Sequence, residues 1–379
     1  MNDRLSTVRE RIASDDGDGR LPNRRFVVGV LALLVLLALP VGTGPLFLLK
    51  MTGAFYFAIF AMSWDVVSGY TGNLSFGHSF IFAVGGYTAA LLTLDAQLSP
   101  VVSVLVGVLA AIVAGLVIGF PALRLRGPYF AIVTFLLPSA LTGLFVLYKG
   151  TFGGELGLPS PAYLLDMNGQ VATITANYYL ALFVFVAMFA LLFAVTRSRI
   201  GEILTAIREN EDAVASSGIN PVKYKLLAFE LSAAVGGFGA ALFVHTPIGG
   251  ANPTQLLAVA VSINVLLATI LGGIGTIVGP AIGGVVFYLL RDSLDSISWN
   301  IPVLGVSFSS LDLILFSIII LVVIYFIPDG IVGGVQQTAR RLGGPDEESA
   351  MTDGGRSTLE RILTRYRRDL EEDWGERNE

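Results

Sequence analysis

The chain reads as an all-α polytopic membrane protein of about ten transmembrane helices with a weak inverted repeat. Three observations predict this class. Between Phe26 and Pro328 apolar stretches follow one another, with cores at 27–40, 56–64, 101–120, 130–147, 178–195, 226–244, 256–271, 277–290 and 311–326. A spanning helix needs roughly 20 mostly apolar residues, because lipid offers the backbone no other hydrogen-bond partner. The chain is 54% hydrophobic and 14% charged, against roughly 25% charged in soluble domains. Finally, the charges sit mostly outside the apolar stretches, in the two termini and a few loops.

Residues 1–25 form a polar N-terminal segment with six Arg. Arg20, Arg24 and Arg25 anchor that end in the cytoplasm, and no cleavable leader is expected. Spans follow near 26–43, 47–66, 76–94, 101–120, 128–148, 178–196, 225–245, 254–271, 276–291 and 310–327. Ten spans put Arg124, Arg126, the loop 197–224, Arg340 and Arg341 inside, and the weakly charged segments 149–177 and 246–253 outside. Both termini are then cytoplasmic, in the plasma membrane. The domains are 1–25, a membrane domain 26–334 and a cytoplasmic tail 335–379.

Glycine interrupts the apolar pattern in three places: Gly69–His78 with Gly85 and Gly86, Thr151–Leu158, and Gly272–Pro280 with Gly283 and Gly284. The first and third lie in halves that five spans would invert, although their positions differ by one span. Paired broken segments in inverted halves point to a midplane path. Close helix packing through small residues is the competing reading.

Ionisable groups near the spans are few: Asp65, Glu230, Arg291, Asp292, Asp295 and Asp312. All stand close enough to an interface to snorkel or pair there, and an ion-coupling role competes with that reading. No phosphate-cradling Gly-Lys-Ser/Thr ending follows the glycines. Zero cysteines and two distant histidines, His78 and His245, suggest no thiol chemistry and no metal site. No catalytic residue, cofactor or nucleic-acid contact is expected, so another chain supplies energy or transport is passive.

The loop 198–224 favours the first. Ile200, Ile203, Leu204, Ile207 and Val214 share one helical face, with Arg208, Glu209, Glu211 and Asp212 elsewhere. Gly218 and Pro221 end the pattern. One amphipathic helix suited to a groove in a partner protein is expected. A helix lying on the lipid surface would carry more Lys and Arg.

With those segments in view, the chain resembles the LivM-type permease subunits of ABC importers for branched-chain amino acids, from about Met51 to Gly334. Five stretches carry the resemblance in order: 68–92 (SGYTGNLSFGHSFIFAVGGYTAALL), 123–135 (LRLRGPYFAIVTF), 153–158 (GGELGL), 198–229 (SRIGEILTAIRENEDAVASSGINPVKYKLLAF) and 271–280 (LGGIGTIVGP). It implies the ABC importer permease fold. Gly201, Ala206, Arg208, Glu209, Asn210, Ala213 and Gly218 would couple to the ATPase. Gly72, Ser75, Gly77, Tyr129, Gly272, Gly273, Gly275 and Gly279 would line the path. The implied partners are a LivH-like second permease, two ABC ATPase subunits that bind ATP, and an external substrate-binding protein. Three departures stand out: Pro128 where Leu is common, Phe152 interrupting Thr-Gly-Gly, and Glu230 at a usually apolar position.

In the tail, Ser357–Glu360 is a capping-box pattern ahead of Leu359, Ile362, Leu363, Tyr366, Leu370 and Trp374 at helical spacing. That helix packs on a partner or is a dispensable extension. A urea or short-amide permease of the same family, and a self-sufficient secondary transporter using Asp65 or Glu230, are the alternative functions.

Overall fold

The computed structural model describes residues 24–125, 128–295, 300–301, 306–307, 330–331 and 333–334. Nine expected spans appear as α1 (Arg24–Gly42), α2 (Pro45–Thr71), α3 (His78–Leu94), α4 (Pro100–Ala122), α5 (Pro128–Leu147), α7 (Gln170–Thr196), α10 (Pro221–Phe243), α11–α12 (Pro253–Leu256 and Val259–Gly272) and α13 (Val278–Asp295). Short helices α6 (Lys149–Phe152), α8 (Arg199–Glu209) and α9 (Glu211–Ser216) lie between them. A two-residue antiparallel pairing joins β1 (Asn300–Ile301) to β2 (Val306–Ser307). The expected tenth span, Arg126, Asp312, residues 1–23 and the tail helix lie outside the described residues.

The bundle has two mostly buried central helices, α2 and α10, packed on each other. Around them the packing repeats with inverted polarity. Helix α13 packs on α2 as α4 packs on α10; α12 pairs with α13 as α3 pairs with α4. The repeat therefore equates α2–α3–α4 with α10–α12–α13.

Lys50 near the start of α2 pairs with Asp292 near the end of α13 at 2.6 Å. Asp65, near the other end of α2, holds the turn that starts α13. A rise of 1.5 Å per residue sets Lys50 and Asp65 roughly 22 Å apart, so α2 and α13 are fastened at both ends. Gly330 packs against Gly273, at the end of the molecule opposite Asp292.

Helices α3 and α12, with 17 and 14 residues, reach only about 25 and 21 Å. They fall short of the roughly 30 Å hydrocarbon thickness, because each begins inside the bundle. After α2 the chain turns back along it: Trp64 Nε1 donates to the Ser75 carbonyl at 2.7 Å, and the Ser75 amide to Ser68 Oγ at 3.1 Å. Helix α3 then starts at His78, deep in the core. There Ser232 Oγ donates to the Ser63 carbonyl at 2.6 Å, so His78 Nε2 donates to Ser232 (2.8 Å) and Nδ1 accepts from Ser75 Oγ (3.0 Å). The starts of α3 and α12 meet, with the Ser79 amide donating to Ser262 Oγ at 3.0 Å.

This corrects the expected pairing of the glycine segments. They are not equivalent positions of the repeat meeting at a midplane; 72–77 and 273–277 are neighbouring connections at one end. The true mates of the repeat are the broken helices α3 and α12.

One proline inside a helix is met by a neighbour. Pro40 has no amide to give the Leu36 carbonyl, and Tyr178 Oη donates to that carbonyl at 2.6 Å. Two of the family departures also have local reasons. Pro128 opens α5, where a missing amide costs nothing. The Phe152 ring stacks on Phe145, which contacts Tyr87, with both centroid distances at 4.4 Å.

Replacing His78 with Ala removes two buried hydrogen bonds and leaves a cavity. His78→Ala is expected to cost about 3 kcal/mol, read as the shift in a denaturing-detergent titration, while a Val27→Ala control on the exposed face of α1 stays within about 0.5 kcal/mol.

Candidate functional site

The loop after α7 forms two helices where one was expected. Ser198 Oγ accepts from the Ile200 amide and starts α8. At Asn210 the backbone leaves the helix (φ −157°, ψ 97°), and its side chain accepts from the Ala213 amide at 3.0 Å to start α9. An Asn competes for backbone groups in this way, so the periodicity ran through a break that its side chain makes. Gly218, at φ +88°, turns the chain after α9, and Asn220 caps α10.

The apolar face of this loop seats on its own chain. Gly201, Leu204, Ile207 and Val214 are buried, and Ile200 and Ile203 half-buried, against α2, α7 and α10. That face is therefore covered by this chain itself, and what remains for a partner is the opposite side of the two helices. The outward surface carries Glu202, Ala206, Glu209, Asn210, Ala213, Ala215 and Ser216 instead.

Below the loop lies a compact joint. Asp65 is fully buried; its Oδ1 accepts from the Gly275 amide at 2.7 Å and Oδ2 from Ile277 at 3.3 Å. Asp65 thus neither snorkels nor stays free, but holds a backbone turn. That turn needs holding, since Ile277 sits at φ +52°, where a β-branched residue is strained. Arg208, in the last turn of α8, donates from Nη1 to the Gly69 carbonyl at 2.8 Å. No side chain fits at Gly69, because its Cβ would overlap the Asp65 carboxylate and lie 2.8 Å from the Gly275 amide nitrogen. Beside it, Lys225 of α10, only 2% exposed, pairs with Glu211 of α9 at 2.8 Å.

The structure brings Gly72, Arg208 and Gly275 together: a Cβ on Gly275 would lie 2.6 Å from Arg208 Nη1. Gly272, Gly273 and Gly279 are buried in the same turn. Ser75 is buried under Trp64, and Gly77 lies against the Thr134 carbonyl. Tyr129 is 68% exposed at the start of α5, outside this joint. Sequence reasoning saw Gly69 only as the start of a glycine segment and Glu211 only as part of a polar face, did not single out Lys225, and gave Asp65 another role. Asp65 is the one carboxylate within α2, which is the available signal; Gly69 is marked only by the glycine cluster it opens, and the 225–211 pairing leaves no signal. Glu230 packs its carboxyl on Gly115, and neither oxygen has a hydrogen-bond partner among the described residues.

The sequence pattern of the family described as "Branched-chain amino acid transport system / permease component" matches residues 47–328. The chain belongs to this family. It is 28% identical over 291 residues to the high-affinity branched-chain amino acid transport system permease protein LivM of Salmonella typhimurium, covering 70% of this chain and 67% of that one. It is 26% identical to the corresponding protein BraD of Pseudomonas aeruginosa, over 73% of this chain and 91% of the relative. A probable LivM of Methanocaldococcus jannaschii shares 26% over 56% of this chain and 62% of its own length. No solved structure matches the chain. The family match covers every helix of the joint, α2, α8 to α10, α12 and α13.

A Cβ on Gly72 would lie 3.7 Å from that of Arg208, within the span of a disulfide. The chain has no other cysteine. The double variant Gly72→Cys/Arg208→Cys is expected to close a bond on mild oxidation, seen as a mobility shift that reductant reverses, whereas Gly72→Cys/Gly218→Cys is expected not to.

Proposed function

We propose that this chain is the transmembrane permease subunit of an ATP-driven importer of branched-chain amino acids. The observation that carries it is the α8–α9 loop, whose apolar side is locked onto the central helices while a polar, small-residue surface faces outward. Such a surface suits a docking partner, and the branched-chain amino acid transport for which the relatives are named supplies the substrate class. The end bearing Arg124, Arg197, Arg199 and Lys223 is the cytoplasmic one, following the bias of basic residues. ATPase subunits dock there through Ala206, Glu209, Asn210 and Ala213, with Gly201 letting α8 approach α7 and Gly218 turning the chain.

A second permease of the LivH type completes the conduit, and an external binding protein delivers substrate to the opposite end. ATP binding closes the ATPase pair and moves the loop; the bundle opens outward, and hydrolysis resets it. The glycine connections at 72–77 and 272–279, with Tyr129, form the inner part of the path. This chain contributes conduit and lever, and nucleotide is held by its partners.

Two measurements test the reading. Gentle extraction of the tagged chain should co-purify an ATPase and a second permease, and Ala213→Trp should remove the ATPase while the permease pair persists. In vesicles of the whole complex, leucine uptake should require ATP on the loop side and exceed urea uptake. Glu230→Gln should leave leucine uptake within about twofold, since a carboxamide keeps the shape and the loss of a charge at an unpaired site removes no bond. Uptake by the chain alone, abolished by Glu230→Gln, would instead establish the secondary-transporter function.

A further inference from the structure

Each of the two loop helices is fastened to a different central helix. Arg208 ties α8 to the end of α2 through the Gly69 carbonyl. Glu211 ties α9 to the start of α10 through Lys225. These central helices are the mates of the inverted repeat, and they cross where Ser232 bonds to the Ser63 carbonyl and to His78.

The distances from that crossing are nearly equal. Gly69 is six residues beyond Ser63, and Lys225 seven before Ser232, or about 9 and 10 Å of helix. Both attachments are on the same side of the crossing, as the shared loop requires. We infer that Arg208 and the Glu211–Lys225 pair are two struts of a scissor, turning displacement of the loop into rotation of α2 against α10 about the Ser63–Ser232–His78 node. They are positioning residues and touch no substrate.

Two features make the struts stiff enough for this. Lys225 is 2% exposed, so its ammonium has no solvent to fall back on if Glu211 moves away. Arg208 bonds a carbonyl next to Gly69's contact with Asp65, and Asp65 in turn holds the 275–277 turn. Displacing α8 therefore displaces the start of α13 as well as the end of α2.

The inference rests on the importer reading, and the assembled complex in nanodiscs and vesicles tests it. The quantity to measure is leucine transported per ATP hydrolysed, with retention of the ATPase subunits scored beside it. Lys225→Met and Glu211→Gln are each expected to lower that ratio about tenfold with the ATPases still bound. The exchanged pair Glu211→Lys/Lys225→Glu should restore it to within about twofold, as expected of a direct partnership. Arg208→Ala should lower the ratio similarly, and the exchanged pair should not rescue it. An exchanged pair no better than the single variants, an unchanged ratio, or single variants that shed the ATPases would overturn the inference. An unaltered chain that holds no ATPase would overturn the importer reading, and this inference with it, before any variant is compared.

Discussion

Lipid supplies no hydrogen-bond partner, so every point where a helix of this chain breaks has to bring its own. That requirement accounts for the polar contacts that hold the core together at its breaks. The return of the chain at 72–77 is met by Trp64 and Ser68, and the start of α3 by Ser262. The carbonyl released by Pro40 is met by Tyr178, and the turn at 275–277 by Asp65. In water each break could be solvated at little cost. Here each one fixes the position of a distant helix, and the breaks become the fastenings of the bundle.

The joint beneath α8 and α9 follows from the same constraint. Asp65 is tolerable in the membrane domain because two amides face it, and those amides are available because the 275–277 backbone is not helical. Gly69 leaves room for both. Motion of the loop therefore meets a set of contacts in which no member can shift alone. This is a better basis for transmission than a flexible surface helix, because packed polar contacts tend to have discrete arrangements rather than a continuum.

The nine described spans were legible because hydrophobic length is written directly in the sequence, and their ends shift by a few residues at most sites. The start of span six is the largest difference, at Gln170 rather than near 178, since residues 170–177, which alternate apolar with Thr and Asn, join the helix and bury Thr173, Ile174 and Asn177. The inverted repeat was legible only in outline. Its mates, α3 and α12, are recognised by where they begin, and depth within the bundle leaves no mark in composition. Apolar periodicity found the face of the loop helices but could not say whether the cover is this chain or another. The Asn210 break was hidden because Asn is tolerated within helices as well as at their caps. The resemblance named the loop residues; only the packing separates those facing outward, such as Ala213, from Arg208, which reaches back to Gly69.

The bolt between Tyr178 and Leu36 also sets a time scale. The two residues are 142 positions apart, so α1 is made long before the hydroxyl that meets its Leu36 carbonyl exists. At synthesis rates of about 5–20 residues per second, α1 waits roughly 7–30 s in the bilayer with the Leu36 carbonyl unmatched by α7. Over that interval the backbone of α1 lacks the bond that closes the gap left by Pro40.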